Sequence, residues 1–391
     1  MHLGRFHYVT FLVRQYFESN ALLTTLDQAI AQLQAYITSP TTETSKAFRA
    51  NADLLLEACA KMPPSHNIAS IKQIIADTGG EDYFGSGLER SLRDIFDKQS
   101  MIPADMLVSL QKLRKDLGVY VTSITNISNE LEALGVEYEE LKADQFEFGA
   151  TFPRELVGES ISDIQGELDH LDRLFKALNE LMGNGSTSPS VRNISSSWWQ
   201  FFIDLDYKQI SAITFALERI VALYKSNLEI QKLKREAEKN DLGVEVAALL
   251  DKKIEEKLKS GMLAIAKEVR ETFQNNEDAG RCNELETQLR MELVHIAQRI
   301  NEGAAYEIRA GLPNKPKELA DAEREDQQAI LKHKESMQAF EEKNKIALDI
   351  NTAGLRLASA MEEIPGGAQL LTDYEKLTEV VQDQANGGAL K

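Results

Sequence analysis

Residues 195–206 read SSSWWQFFIDLD and hold both tryptophans of a 391-residue chain. Three readings compete for this stretch: a strand, a helix, or an aromatic anchor at a membrane interface. As a strand, Trp199, Phe201, Ile203 and Leu205 share one face, and Trp198, Gln200, Phe202 and Asp204 share the other. That gives an apolar side and a mixed side, as a sheet covered by helices requires. A helix is the second reading, since so short an apolar run does not fix the period. The anchor reading lacks the Lys/Arg face of interfacial helices and must accommodate Asp204 and Asp206. The strand reading is adopted.

Upstream, FEFGATFP at 146–153 alternates Phe146, Phe148, Ala150 and Phe152 with Glu147, Gly149 and Thr151, the pattern of a half-buried strand stopped by Pro153. Between the two strands, Ile161, Ile164, Leu168, Leu171, Phe175, Leu178 and Met182 step by threes and fours along a helix, which GNGSTSPS at 183–190 terminates. After the second strand, Ile210, Ile213, Leu217, Ile220 and Tyr224 form another buried stripe. The order is βαβα, and a right-handed crossover would make the two strands parallel.

The flanks are helical. Leu22, Leu26, Ile30, Leu33 and Ile37 mark one early helix, and Pro103 opens a long one. Its seam, Leu110, Leu113, Leu117, Tyr120, Ile124, Ile127, Leu131 and Leu134, keeps heptad spacing over more than three heptads, on a helix of ~45 Å. Lys232–Glu236 and Lys234–Glu238 lace a solvated helix over 225–240. Sparse apolar residues among charges mark a second exposed helix over 317–362. The expected fold is mainly α with a small α+β (βαβα) central unit and long coiled-coil-like helices. Four segments are expected: 1–100, helical; 101–242, the long helix with the βαβα unit; 243–312, helical; and 313–391, charged and helical with a frayed tail.

A net charge of −18 argues against nucleic acid as a partner. Cys59 and Cys282 stand alone, without metal-ligand spacing or a disulfide framework, which fits a reducing compartment. The opening MHLGRFHYVTFLVRQYF has too short an apolar run for a signal peptide, and no window approaches a membrane span. A cytoplasmic protein is expected.

One pattern carries metal chemistry. Glu167 with His170, and Glu292 with His295, repeat Glu-x-x-His, which places both side chains on one helix face and supplies half the ligands of a di-iron carboxylate centre. Two further glutamates are required, for which Glu139 and Glu268 can be nominated. A chain with six histidines and abundant glutamate supplies such pairs by chance, and a helix between two strands is no bundle. The sequence therefore assigns no metal and no cofactor, and leaves these four residues as the metal candidates. The loop GGEDYFGSGLER at 79–90 lacks the strand and the Gly-Lys-Ser/Thr of a phosphate loop, so Ser86 is expected to cap a helix. No nucleophile elbow occurs, and no catalytic residue is assigned.

The expectation is a non-enzymatic interaction or scaffold protein in a larger assembly, binding a partner or itself through the helices about 225–240 and 317–362. The alternatives are a membrane-acting helical protein that releases 194–224, and an enzyme of unrecognised type such as a di-iron carboxylate protein. The charges within 194–224 make contact with membrane an outcome the sequence does not favour.

Overall fold

The computed structural model describes residues 3–61, 68–98, 102–139, 141–158, 160–195, 198–239, 243–316, 327–362 and 364. Residues 98, 229–239, 243–252, 254, 255, 327, 329 and 362 are described by backbone alone. The chain forms two compact units, 1–139 and 140–391.

The first unit is a helical bundle of α1 (Leu3–Ser19), α2 (Leu22–Thr38), α3 (Thr42–Ala60), α4 (Ala69–Asp77), α5 (Gly85–Lys98) and α6 (Pro103–Ala133). α6 packs on α1, α2 and α5, so the long helix expected with the strands belongs to the N-terminal bundle. Leu110, Leu117, Tyr120, Ile124 and Leu131 of its seam are buried, while Ile127 is exposed and Leu134 lies past the helix end. On α2 the buried row is Leu22, Leu26, Ala29 and Leu33; Ala29 takes the place expected of Ile30. Thr41 caps α3 through a capping box with Thr44. Tyr16 donates to the Cys59 carbonyl at 2.9 Å and ties α1 to α3. Ser86 does not cap α5 from outside but sits in its first turn, and a Cβ on Gly87 would lie 1.8 Å from the Glu81 carbonyl oxygen. Gly87 serves close backbone packing, whereas Gly79 and Gly85 take left-handed backbones, φ 70° and 52°.

The second unit holds a four-stranded sheet among helices. Its elements are β1 (Phe146–Phe152), α7 (Arg154–Val157), α8 (Ile161–Leu181), β2 (Ser190–Ser195), β3 (Trp199–Leu205), α9 (Tyr207–Lys239), α10 (Gly243–Phe273), α11 (Ala279–Asn301), β4 (Ala305–Ala310) and α12 (Gln327–Glu362). Both expected strands exist, with the bounds the alternation implies. Their direction does not match: β1 and β3 are antiparallel, with Phe148 opposite Ile203, and the order is β2-β3-β1-β4. The βαβα reading fails because β2 intervenes after α8. It forms a hairpin with β3, which reverses the chain before it reaches β1. β4 then pairs antiparallel on the far side of β1, with Ile308 opposite Phe148.

Phe148, Ala150, Phe152, Phe201, Ile203, Tyr306 and Ile308 point from the sheet into one core with α8, α9, α10 and α11. The opposite face of β1 is not solvated as a half-buried strand would be. All seven residues of β1 are buried, Glu147 completely. Arg309, directly across from Glu147, donates to its carboxylate at 2.8 and 3.0 Å, and Arg192 stands 3.8 Å from the second oxygen. Charge pairing lets that strand bury a carboxylate.

α12 lies along β4. Asn351 of α12 donates to the Ala310 carbonyl at 2.9 Å and accepts from its amide at 2.8 Å, filling both hydrogen-bonding positions of an edge residue. The helix approaches closely because residue 354 is glycine: a Cβ there would meet the Ile308 carbonyl oxygen at 2.3 Å.

The segment 194–224 is committed to this core. β3 pairs on both sides, and Ile210, Ala212, Ile213, Leu217 and Ile220 of α9 are buried. Among the described residues no helix is long and apolar enough to cross a membrane. The Lys–Glu pairs expected over 232–238 lie outside the described side chains, as do 317–326 of the second exposed helix and the tail from 365.

Candidate functional site

The two Glu-x-x-His motifs meet. α8 and α11 run antiparallel, and at one end of the pairing Arg281 of α11 grips the Glu180 carboxylate of α8 through two nitrogens at 2.5 and 2.9 Å. Asn275 and Asn276, just before α11, donate their amides to the Leu181 carbonyl at 3.0 and 3.1 Å. The helix starts are fixed by side-chain caps, Ser160 with Asp163 on α8 and Asp278 on α11. About three turns along α8 from Glu180, residues 167 and 170 stand against 295 and 292.

Since residues three apart share a helix face, antiparallel packing gives each glutamate the histidine of the other motif. Glu292 Oε2 accepts from His170 Nδ1 at 2.6 Å, and Glu167 Oε2 accepts from His295 Nε2 at 2.9 Å. An arginine follows each motif on the same face. Arg173 Nε donates to Glu292 Oε1 at 2.8 Å, and Arg299 donates to Glu167 Oε1. The two imidazoles stack, centroids 3.6 Å apart and planes 10° from parallel. The arrangement is a reciprocal pair of Glu–His–Arg triplets related by a local two-fold relation.

The electrostatics follow from burial and pairing. Burial pushes the Glu167 carboxyl up, but hydrogen bonds from His295 and Arg299 outweigh it and hold it below the ordinary carboxylate value. Burial drives the His295 imidazole below its ordinary value against the pull of Glu167, and the neighbouring His170 and Arg299 act in the same direction as burial. At His170, Nδ1 must carry the proton it gives to Glu292. Arg173 Nη2, 2.9 Å from the same nitrogen, is then a close cation rather than a hydrogen-bond donor. Each glutamate of the cluster thus faces one guanidinium, Glu167 that of Arg299 and Glu292 that of Arg173.

Beside the cluster lies a cavity of about 10 Å³, lined by the four motif residues together with Phe152 and Tyr306. That is room for about one water molecule. The cluster can hold or relay a proton, and it has no space for a substrate.

It does not fit a di-metal centre. The sheet presents Phe152 and Tyr306 to the cavity where such a centre needs two more carboxylates. Of the nominated glutamates, Glu268 pairs with Arg219 at 2.5 Å, and Glu139, in the N-terminal unit, pairs with Arg5 at 2.7 Å. The carboxylates that are present already face arginines. Among the described residues no group of three or more His, Cys, Asp or Glu is arranged to hold a metal ion.

Sequence reasoning found the four motif residues and missed Arg173, Arg299 and Tyr306. The arginines had a signal: they follow His170 and His295 by three and four residues, on the face the motif already defines. Comparison of the chain with protein-family models, with curated proteins and with solved structures finds no match.

Proposed function

We propose that the protein acts by binding other proteins or copies of itself through helices, as a non-enzymatic interaction or scaffold protein. The supporting observation is the division of α12, whose 36 residues extend about 54 Å. Its C-terminal half is anchored by buried Ala347, Ile350, Ala353, Leu357 and Ala358 and by the Asn351 contacts with β4. Its N-terminal half is largely exposed, with Ile330 and Leu331, consecutive in the sequence, in solvent at 42% and 59%. A helix held rigidly at one end and exposing apolar side chains at the other suits helix-to-helix docking. The closed, charge-balanced cluster between α8 and α11 fits the same reading, as a structural lock.

The test is the double substitution Ile330→Glu and Leu331→Glu in the full chain. Sedimentation equilibrium and co-purification from the native lysate are compared with wild type. Loss of self-association or of a stoichiometric partner, at unchanged melting temperature, supports the proposal. Identical behaviour of the two proteins in both assays overturns it.

A further inference from the structure

On the second unit, a recess of about 420 Å³ opens between the chain before β1, the start of α9 and the middle of α12. Its volume falls within the range of small-molecule sites, about 300–1,000 Å³. The apolar lining comes from Phe146, Tyr207, Pro313, Ile346 and Ala347, and the two aromatic rings stand 5.9 Å apart at an angle. The floor is held in shape. Gln145 donates its amide to the Lys142 carbonyl at 3.1 Å, closing a turn in which Asp144 has a left-handed backbone, φ 63°. Lys343 of α12 donates to Asp144 at 2.6 Å across the rim.

That ion pair leaves the lining charge unbalanced. Among the described residues its charged members are Asp144, Glu342 and Lys343; Lys343 is engaged by Asp144, and Glu342 shows no cation partner. The recess therefore joins an apolar, aromatic-walled interior to one uncompensated carboxylate at its edge. Carboxylate and aromatic faces both attract cations and disfavour anions. We propose that this recess binds a small organic cation with an apolar body, of the arylalkylamine class. The ring would lie against Phe146, Tyr207 and Ile346, with the ammonium toward Glu342. The site stands independently of the exposed end of α12.

Ligand-observed NMR titration of the full chain tests it with three probes of one shape: 2-phenylethylammonium, 2-phenylethanol and 3-phenylpropionate. Wild type is expected to bind the cation about tenfold more tightly than the anion, with the alcohol between, since one solvent-screened carboxylate attracts the cation and repels the anion by about 1 kcal/mol or less each. Glu342→Gln, a change on an exposed helix face, should collapse the preference to about threefold or less. Ala339→Trp, which places an indole at the mouth, should abolish binding of all three while leaving the melting temperature unchanged. Absence of saturable binding by the cation overturns the proposal. So does equal affinity for the cation and anion in wild type, or binding that Ala339→Trp leaves intact.

Discussion

His170 and His295 stack ring on ring at 3.6 Å, and each is hydrogen-bonded to the glutamate of the other's helix. Neither motif is complete without its counterpart, 125 residues away in the chain. The stack ties the helix after β1 to the helix before β4, so it links two segments that flank the centre of the sheet. A charge on one ring would oppose a charge on the other at that separation, and burial already holds the His295 imidazole below its ordinary value.

Removing one carboxylate should therefore cost far more than an ordinary surface substitution. Glu167→Ala leaves Arg299 and His295 facing a nearly closed cavity, and breaking such a buried pair costs about 3–5 kcal/mol. Urea unfolding should show the midpoint fall with little change in slope. A loss below ~1 kcal/mol would mean that solvent reaches the site.

The same cluster sets an acid limit. The folded His295 value lies below its ordinary 6.5, so the unfolded chain takes up the proton first. Its contribution to stability is full above about 6.5 and is lost as pH falls from there toward the folded value. Glu167 adds a second loss below its ordinary 4.5, since its folded value is also depressed. The urea midpoint should be lower at about pH 5.5 than at pH 7.5, and His295→Gln should flatten that difference. Equal wild-type midpoints at the two pH values would remove His295 from this role.

Asn351→Ala deletes both bonds to Ala310, leaving an amide and a carbonyl on β4 without their partner. The expected cost is about 1–3 kcal/mol. Hydrogen exchange gives the local readout, with the Ala310 amide accelerating more than those at the centre of β1. Uniform acceleration across the sheet would instead indicate global destabilisation.

Burial pushes the Cys59 thiol up to about 12, with a further contribution from the Glu89 charge, and Cys282 is buried as well. Neither should react with an aromatic disulfide reagent in the native protein near pH 8, whereas both should react in urea. Rapid native labelling of Cys59 would mean that the contact between α1 and α3 opens readily.

Much of this architecture was legible in the residues. β1 and β3 declared themselves by alternation because their inward faces carry Phe148, Phe152, Phe201 and Ile203. β2 and β4 did not. SVRNIS is an edge strand with little buried surface, and AYEIRA carries Glu307 and Arg309, whose place in a strand makes sense only beside Glu147. Missing β2 reversed the inferred direction of β3, because a hairpin strand changes the parity of the path. The Glu-x-x-His pairs were visible from spacing alone. Their cross-pairing was not, since it depends on α8 and α11 being antiparallel, and that follows from the core they share rather than from the motifs themselves.

Both borders of the sheet are closed to growth. Along β4, the Asn351 amide occupies backbone positions that an incoming strand would need. Along β2, the ladder is broken by a bulge between Val191 and Asn193, and Arg192 places a charge within it. Such borders do not template cross-β stacking. Fibril nucleation from the native state is disfavoured at both edges, and concentrated protein should remain free of thioflavin-binding material until the fold itself is lost.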